Sequence, residues 1–133
     1  MRKSEESENP NYSISNDESS PQKLLFERLS NKWFLMLLSA LHAEPKRFNQ
    51  LLREHARLSQ KMLSQTLKNL EEDGLVAREV NGNRMPVQVT YKITPFGINL
   101  IDIVSPLFKW SNENVGKVLE NRRKYIKKYS SGE

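Results

Sequence analysis

Cysteine is absent from the 133 residues. Disulfides, zinc-thiolate sites and thiol redox switches are thereby excluded, while the redox compartment is left undecided. Hydrophobic residues are also sparse, at 37%, so the apolar positions must be well placed to build a core. No apolar run is long. Trp33 to Leu41 is the strongest, and it falls far short of the roughly 20 residues that span a bilayer. It also lies too deep in the chain, behind an acidic stretch, to act as a secretory signal. No nucleophile motif, phosphate-cradling glycine loop or dinucleotide fingerprint is present. His42 and His55 fall on different expected helices, with no carboxylate or thiol at ligand spacing. An enzyme, a metal site and a cofactor are therefore not expected. A soluble cytoplasmic protein, with no membrane association, is.

Charge is unevenly distributed. Residues 1–20 carry Arg2 and Lys3 against Glu5, Glu6, Glu8, Asp17 and Glu18, a net of −3. The overall charge is +5, so the remainder carries +8. The acidic stretch has almost no large apolar residue and is expected to be a disordered tail. The rest, residues 21–133, has the size of one domain. Its basic balance favours phosphate backbones, although a solubility role would leave the same composition.

Along residues 21–133 the pattern is mostly helical. Pro21 opens a segment with Leu24, Leu25 and Leu29 at helical spacing. Ser30 or Asn31 caps a second helix through Trp33, Leu37 and Leu41 to about Ala43, ended by Pro45. Lys46 to Ala56 reads as a third helix with Phe48, Leu51 and Leu52 apolar. Ser59 is an N-cap for a fourth, Ser59 to Asp73, which Gly74 terminates in the left-handed conformation. Two strands follow. Val76 to Val80 is the first, and the second alternates Val87, Val89, Tyr91 and Ile93 with Gln88, Thr90 and Lys92, predicting one buried face. Asn81-Gly82 marks the turn between them. Thr94 and Pro95 start a last helical region, which Pro106 is expected to kink or break. A further helix is expected from about Asn112 to Tyr129.

The Ser59–Asp73 helix carries the chemistry. At about 100° per residue, Leu63, Leu67 and Leu70 form one stripe. Lys61, Ser64, Gln65 and Lys68 fall opposite, with Gln60 at the amino end. Gln can pair with adenine at two atoms, Ser with either partner, and Lys with guanine or phosphate. A solvated helix face also shows these residue types. The decisive feature is order: two short helices across a tight turn, then a hairpin placed as a wing. That order predicts a fold that is mainly α with a small β-hairpin wing, a winged helix-turn-helix with extra terminal helices for dimerisation. The recognition helix then offers Ser59, Gln60, Lys61, Ser64, Gln65 and Lys68. Lys46, Arg47 and Arg53 are placed for the phosphate backbone. The wing offers Asn83 and Arg84, the latter suited to a minor groove or a phosphate.

These residues carry a specific resemblance. Pro45-Lys46-Arg47-Phe48-Asn49-Gln50-Leu51, then Ser59-Gln60-Lys61-Met62-Leu63 with Leu67, Leu70-Glu71-Glu72-Asp73-Gly74-Leu75-Val76 and Arg78, resemble the HxlR-type transcriptional regulators. Pro86, Val89, Tyr91, Thr94, Gly97, Trp110 and the Asn31-Lys32-Trp33 segment fit the same pattern, which covers roughly Leu29 to Ser111. The resemblance implies a winged-helix homodimer that represses or activates transcription, and the two-fold symmetry of such a dimer predicts a pseudo-palindromic operator in double-stranded DNA. Many members of the family carry a cysteine near the amino end, and some sense electrophiles through it. With no cysteine here, that property does not transfer. A small-molecule effector of unknown identity is compatible with the resemblance, and Trp33, Phe34, Phe108 and Trp110 would line its pocket if they were not plain core. The basic set Arg122, Arg123, Lys124, Lys127 and Lys128 suits phosphate contacts and a solvated dimerisation helix equally. Two other readings fit the same residues: a winged-helix protein–protein adaptor, and a small-molecule-binding protein with incidental DNA affinity.

Overall fold

In the computed structural model, residues 16–130 apart from Arg84 are described. Most of the acidic tail and Arg84 therefore lie outside the described residues. The elements in chain order are α1 (Pro21–Leu29), α2 (Lys32–Ala43), β1 (Lys46–Arg47), α3 (Phe48–Glu54), α4 (Gln60–Glu72), β2 (Val76–Asn81), β3 (Gln88–Ile93) and α5 (Pro95–Ser130).

Local chemistry explains most of these boundaries. Ser20 caps α1, its side chain accepting from the Lys23 amide. Asn31 caps α2 through the Trp33 amide at 2.9 Å. Each such cap satisfies one orphan helix donor and is worth about 1 kcal/mol. The end of α4 is a Schellman motif. Gly74 sits at φ +76°, its amide bonds the Glu71 carbonyl, and the Leu75 amide reaches back to Leu70. Leu70 and Leu75 then meet in the core, the hydrophobic contact that accompanies this motif.

Four helices and the sheet share one core. Phe34, Leu37, Leu38 and Leu41 of α2 pack with Leu51, Leu58, Leu63, Leu67, Leu70, Leu75, Val76 and Ile101. Burying each such side chain contributes about 1.5–3 kcal/mol relative to leaving it exposed. Gly97 brings the start of α5 against the sheet. A Cβ there would lie 2.2 Å from the Leu75 carbonyl oxygen and 2.6 Å from Ile93 Cγ1, so only glycine permits this approach.

Four expectations are corrected. Lys46 and Arg47 are not the first turn of a helix. They form an edge strand paired with Tyr91 and Thr90, giving an antiparallel sheet of order β1-β3-β2. The residues follow Pro45, and the open edge of β3 gives their backbone groups ladder partners. The helix after them ends at Glu54, two residues short of Ala56. In β3 no residue is fully buried. Tyr91 and Ile93 reach the core, while Val87 lies outside the strand and is exposed, because the distal wing projects past the helices. Finally, α5 runs unbroken through Pro106 as 36 residues. The ring costs one bond to the Asp102 carbonyl, but both residues are exposed, so water can satisfy that group. Ile101 and Val104 hold the preceding turn in place.

Candidate nucleic-acid interface

The helix α4 is built around two opposed faces. Leu63, Thr66, Leu67 and Leu70 are buried. Thr66 tolerates burial because its hydroxyl donates to the Met62 carbonyl at 2.8 Å, the back-bond that satisfies a helical threonine. On the other side Gln60, Lys61, Ser64, Gln65 and Lys68 are exposed and together line one shallow depression. The five sequence-selected residues thus form a continuous polar and basic surface.

Ser59 has a different place in the site. Its hydroxyl oxygen accepts from the Met62 amide at 3.1 Å, so it fixes the amino end of the helix. Gln65 carries a side-chain tie, donating from Nε2 to Asn69 Oδ1 at 3.0 Å. That bond runs the amide along the helix surface. The turn before α4, residues 55–59, is closed by the Leu58 amide bonding the His55 carbonyl, and Leu58 is buried. His55 is half-buried, and Ala56, Arg57 and Ser59 are exposed; Arg57 is a cation beside α4 that sequence reasoning passed over.

The proposed backbone-contacting residues divide. Arg47 and Arg53 line a second depression with Gln50, Pro86, Val87 and Gln88, between α3 and the wing. Arg47 donates to the Gln88 side-chain oxygen. Lys46 is drawn elsewhere: its ammonium lies 2.6 Å from Glu54, with only 12% of the side chain exposed. The bond from Lys46, with a smaller one from Gln50, holds the Glu54 carboxyl below its usual range. On the wing, Asn83 is exposed and its amide donates to Asn81 Oδ1 at 3.2 Å, an Asx turn that shapes the tip. Arg84 lies outside the described residues.

The carboxyl end of α4 holds a residue that helical spacing alone did not single out. Glu71, Glu72 and Asp73 crowd negative charge against the negative end of the helix dipole. Arg28 of α1 answers it. Its guanidinium bonds Asp73 Oδ1 at 2.7 Å and Glu72 Oε1 at 3.1 Å, and it reaches the Asn69 backbone oxygen at 3.4 Å. The bond to Asp73 raises the pKa of Arg28 further above its ordinary range. A cation from another helix thereby caps α4.

The four aromatic residues considered for an effector pocket are dispersed. Phe34 is in the core. Trp33 packs edge-on against His55, ring centroids 6.4 Å apart. Phe108 faces Met36 and Ala40 in a separate surface depression, and Trp110 is exposed. Among the described residues no cluster of three His, Asp or Glu side chains could hold a metal. Nor is any helix there long and apolar enough to cross a membrane.

Comparison with known proteins agrees with this geometry. The chain matches the HxlR-like helix-turn-helix family over residues 28–119. It is 35% identical over 108 residues to the uncharacterized HTH-type transcriptional regulator YybR of Bacillus subtilis, covering 81% of this chain and 85% of the relative. Among solved structures it resembles the transcriptional regulator YtfH of Salmonella typhimurium, with a TM-score of 0.72 and 33% identity over 80% of this chain and 95% of that one. It also resembles the redox regulator HypR in its reduced form, with a TM-score of 0.68 and 35% identity over 77% of this chain and 99% of that one. The family is one of DNA-binding transcriptional regulators, not enzymes, and the winged helix-turn-helix described above is its fold. The chain belongs to the HxlR-like helix-turn-helix family of transcriptional regulators.

Proposed function

We propose that this protein is a sequence-specific regulator that binds a pseudo-palindromic operator as a homodimer in the cytoplasm. The observation that carries the reading is the single exposed face of α4, where Gln60, Lys61, Ser64, Gln65 and Lys68 stand opposite the buried leucines. A rigid helix of this kind enters a major groove, and amide and hydroxyl groups there distinguish base edges. Ser59 sets the amino end of the helix against the DNA backbone. Gln65 is assigned to a base, Lys61 and Lys68 to guanine or phosphate. Arg47 and Arg53 meet the backbone beside the groove, Lys46 does so if it exchanges Glu54 for phosphate, and Asn83 and Arg84 form the wing contact.

The dimer rests on unpartnered apolar surface. No residue of α1 is buried, and Leu24, Leu25 and Phe26 are exposed, as are Ile103, Leu107, Val115 and Leu119 of α5. So much apolar surface on two terminal helices is what a partner covers. Residues 21–133 would then act as one winged-helix domain with terminal dimerisation helices, preceded by the acidic tail. Because HypR is a redox regulator and this chain has no cysteine, signalling through a thiol is not part of the reading.

Selection from random duplexes tests it. The enriched site should be an inverted repeat with half-sites about one helical turn, 10–10.5 bp, apart. Sedimentation at micromolar concentration should show a dimer. A monomer under those conditions, or no enriched sequence, would contradict the proposal.

A further inference from the structure

The last third of α5 is larger than the fold requires. The helix has 36 residues, yet its buried residues are Gly97, Ile101 and Val104. At 1.5 Å per residue the whole is about 54 Å long. Contact with α2 reaches as far as the depression shared by Met36, Ser39 and Ala40 with Phe108, Ser111 and Asn112. Beyond it, most of the helix surface is exposed.

This arm is strongly sided. At 100° per residue, Val115, Val118, Leu119, Tyr125, Ile126 and Tyr129 fall within an arc of roughly 120°, interrupted by Arg122. The arc continues the stripe on which Ile101 and Val104 are buried. Lys117, Arg123, Lys124, Lys127 and Lys128 occupy the opposite arc, all exposed. From residue 117 onward the described helix carries six cations against one carboxylate, Glu120, which pairs with Lys124 at 3.1 Å.

We infer that this outer face is a second phosphate-binding surface, which grips duplex DNA flanking the sequence read by α4. The inference rests on the operator-binding reading only for what brings DNA to the protein. Charge complementarity selects the partner: a run of cations along one helix face matches the regularly spaced phosphates of a duplex. An anionic lipid surface fits less well. A helix lying on a bilayer sinks its apolar face among the acyl chains. Here that face continues the stripe on which Ile101 and Val104 are buried and, paired between two copies, is not free to insert. Pairing of the apolar stripes between two copies leaves both basic faces outward. Once α4 has bound, the arm meets the flanking duplex as an intramolecular event, so weak contacts suffice.

The test uses the full chain and two variants. One combines Arg123→Gln, Lys124→Gln, Lys127→Gln and Lys128→Gln, which keeps helix propensity and the apolar stripe. The other is Glu120→Lys, which adds a cation to the same face. Affinity is measured by fluorescence anisotropy over a salt series, on a minimal operator duplex and on one with 12-bp random flanks. For the unaltered chain the flanks should raise affinity about tenfold at low salt. The quadruple variant should lose that gain and show a salt slope shallower by about 2–4 units, its operator-to-scrambled ratio unchanged. Glu120→Lys should steepen the slope. A flank effect and slope equal to those of the unaltered chain in both variants would overturn the inference. So would arm-dependent flotation with vesicles of 30% phosphatidylserine in phosphatidylcholine without a flank effect. If the unaltered chain does not prefer operator to scrambled DNA, but the arm still sets the salt slope, the operator reading fails and the arm stands.

Discussion

Arg28→Ala removes a tie that joins α1 to the end of the recognition helix, and its cost follows from the geometry. The arm to Glu72 is half exposed, 49% on the carboxylate side, and pairs of that kind contribute about 0.2–1 kcal/mol. The arm to Asp73 is shorter, 2.7 Å, with 34% and 23% of the two side chains exposed. A hydrogen bond between charged groups is worth about 1.5–3 kcal/mol, and solvent screening at this exposure lowers that figure. Asp73 Oδ2 is buried with no hydrogen-bond partner, so deleting Arg28 leaves a poorly solvated carboxylate beside Glu71 and Glu72. We expect a loss of about 1–2 kcal/mol, seen as a fall in Tm of about 4–8 °C at fixed protein concentration. Arg28→Lys should recover part of it, since one ammonium cannot reproduce the fork. The sharper assay is a double-mutant cycle with Asp73→Asn. Asp73→Asn should destabilise the chain that retains Arg28 and stabilise the Arg28→Ala chain, where it relieves charge at the helix end. Zero coupling in that cycle would refute the reasoning and make Arg28 an ordinary solvated arginine.

Three other perturbations have defined outcomes. Gly97→Ala should cost 3 kcal/mol or more, about the upper range for overpacking, because the added methyl meets the Leu75 carbonyl oxygen and Ile93 Cγ1; denaturant unfolding that shifts by under about 1 kcal/mol would mean α5 can move away freely. Burial raises the Tyr91 hydroxyl above its ordinary pKa of 10.0, so the folded state favours the neutral form. The stability this gives is present below pH 10 and is lost as pH rises from 10 through the folded pKa; Tyr91→Phe should blunt that alkaline loss, and an unchanged pH profile would contradict it. Diamide should leave DNA binding intact in a gel-shift titration, since no thiol exists to oxidise, and release of the DNA would disprove this.

The helical frame was legible because its signals are local. Ser59, Gly74, Asn31 and Thr94 act through bonds spanning a few residues, and each is found where spacing predicts: Thr94, for instance, accepts from the Gly97 amide at 3.0 Å. The leucine stripe of α4 likewise leads directly to the face opposite it. What spacing missed depends on partners distant in sequence. Nothing in Lys46-Arg47 announces a strand until β3, over 40 residues later, supplies its edge. Arg28 looks like any exposed cation of an amphipathic helix until Asp73 is folded beside it. Pro106 misled for the converse reason. A proline rule written for an isolated helix overlooks the tertiary packing of Ile101 and Val104 and the access of water to one exposed carbonyl. The exposed wing obeyed alternation poorly because its outer half has no core to face.

The central claim is that the outward face of α4 reads bases. Gln65→Ala tests it most directly, because Gln65 is exposed and its side-chain bond to Asn69 lies on the surface, so the fold should survive the change. On the selected operator the variant should bind about 1–3 kcal/mol more weakly and lose preference at one base pair of each half-site, with its affinity for scrambled DNA and its salt slope unchanged. If affinity and specificity on that operator are those of the unaltered chain, Gln65 does not enter the groove and the assignment of this face is wrong.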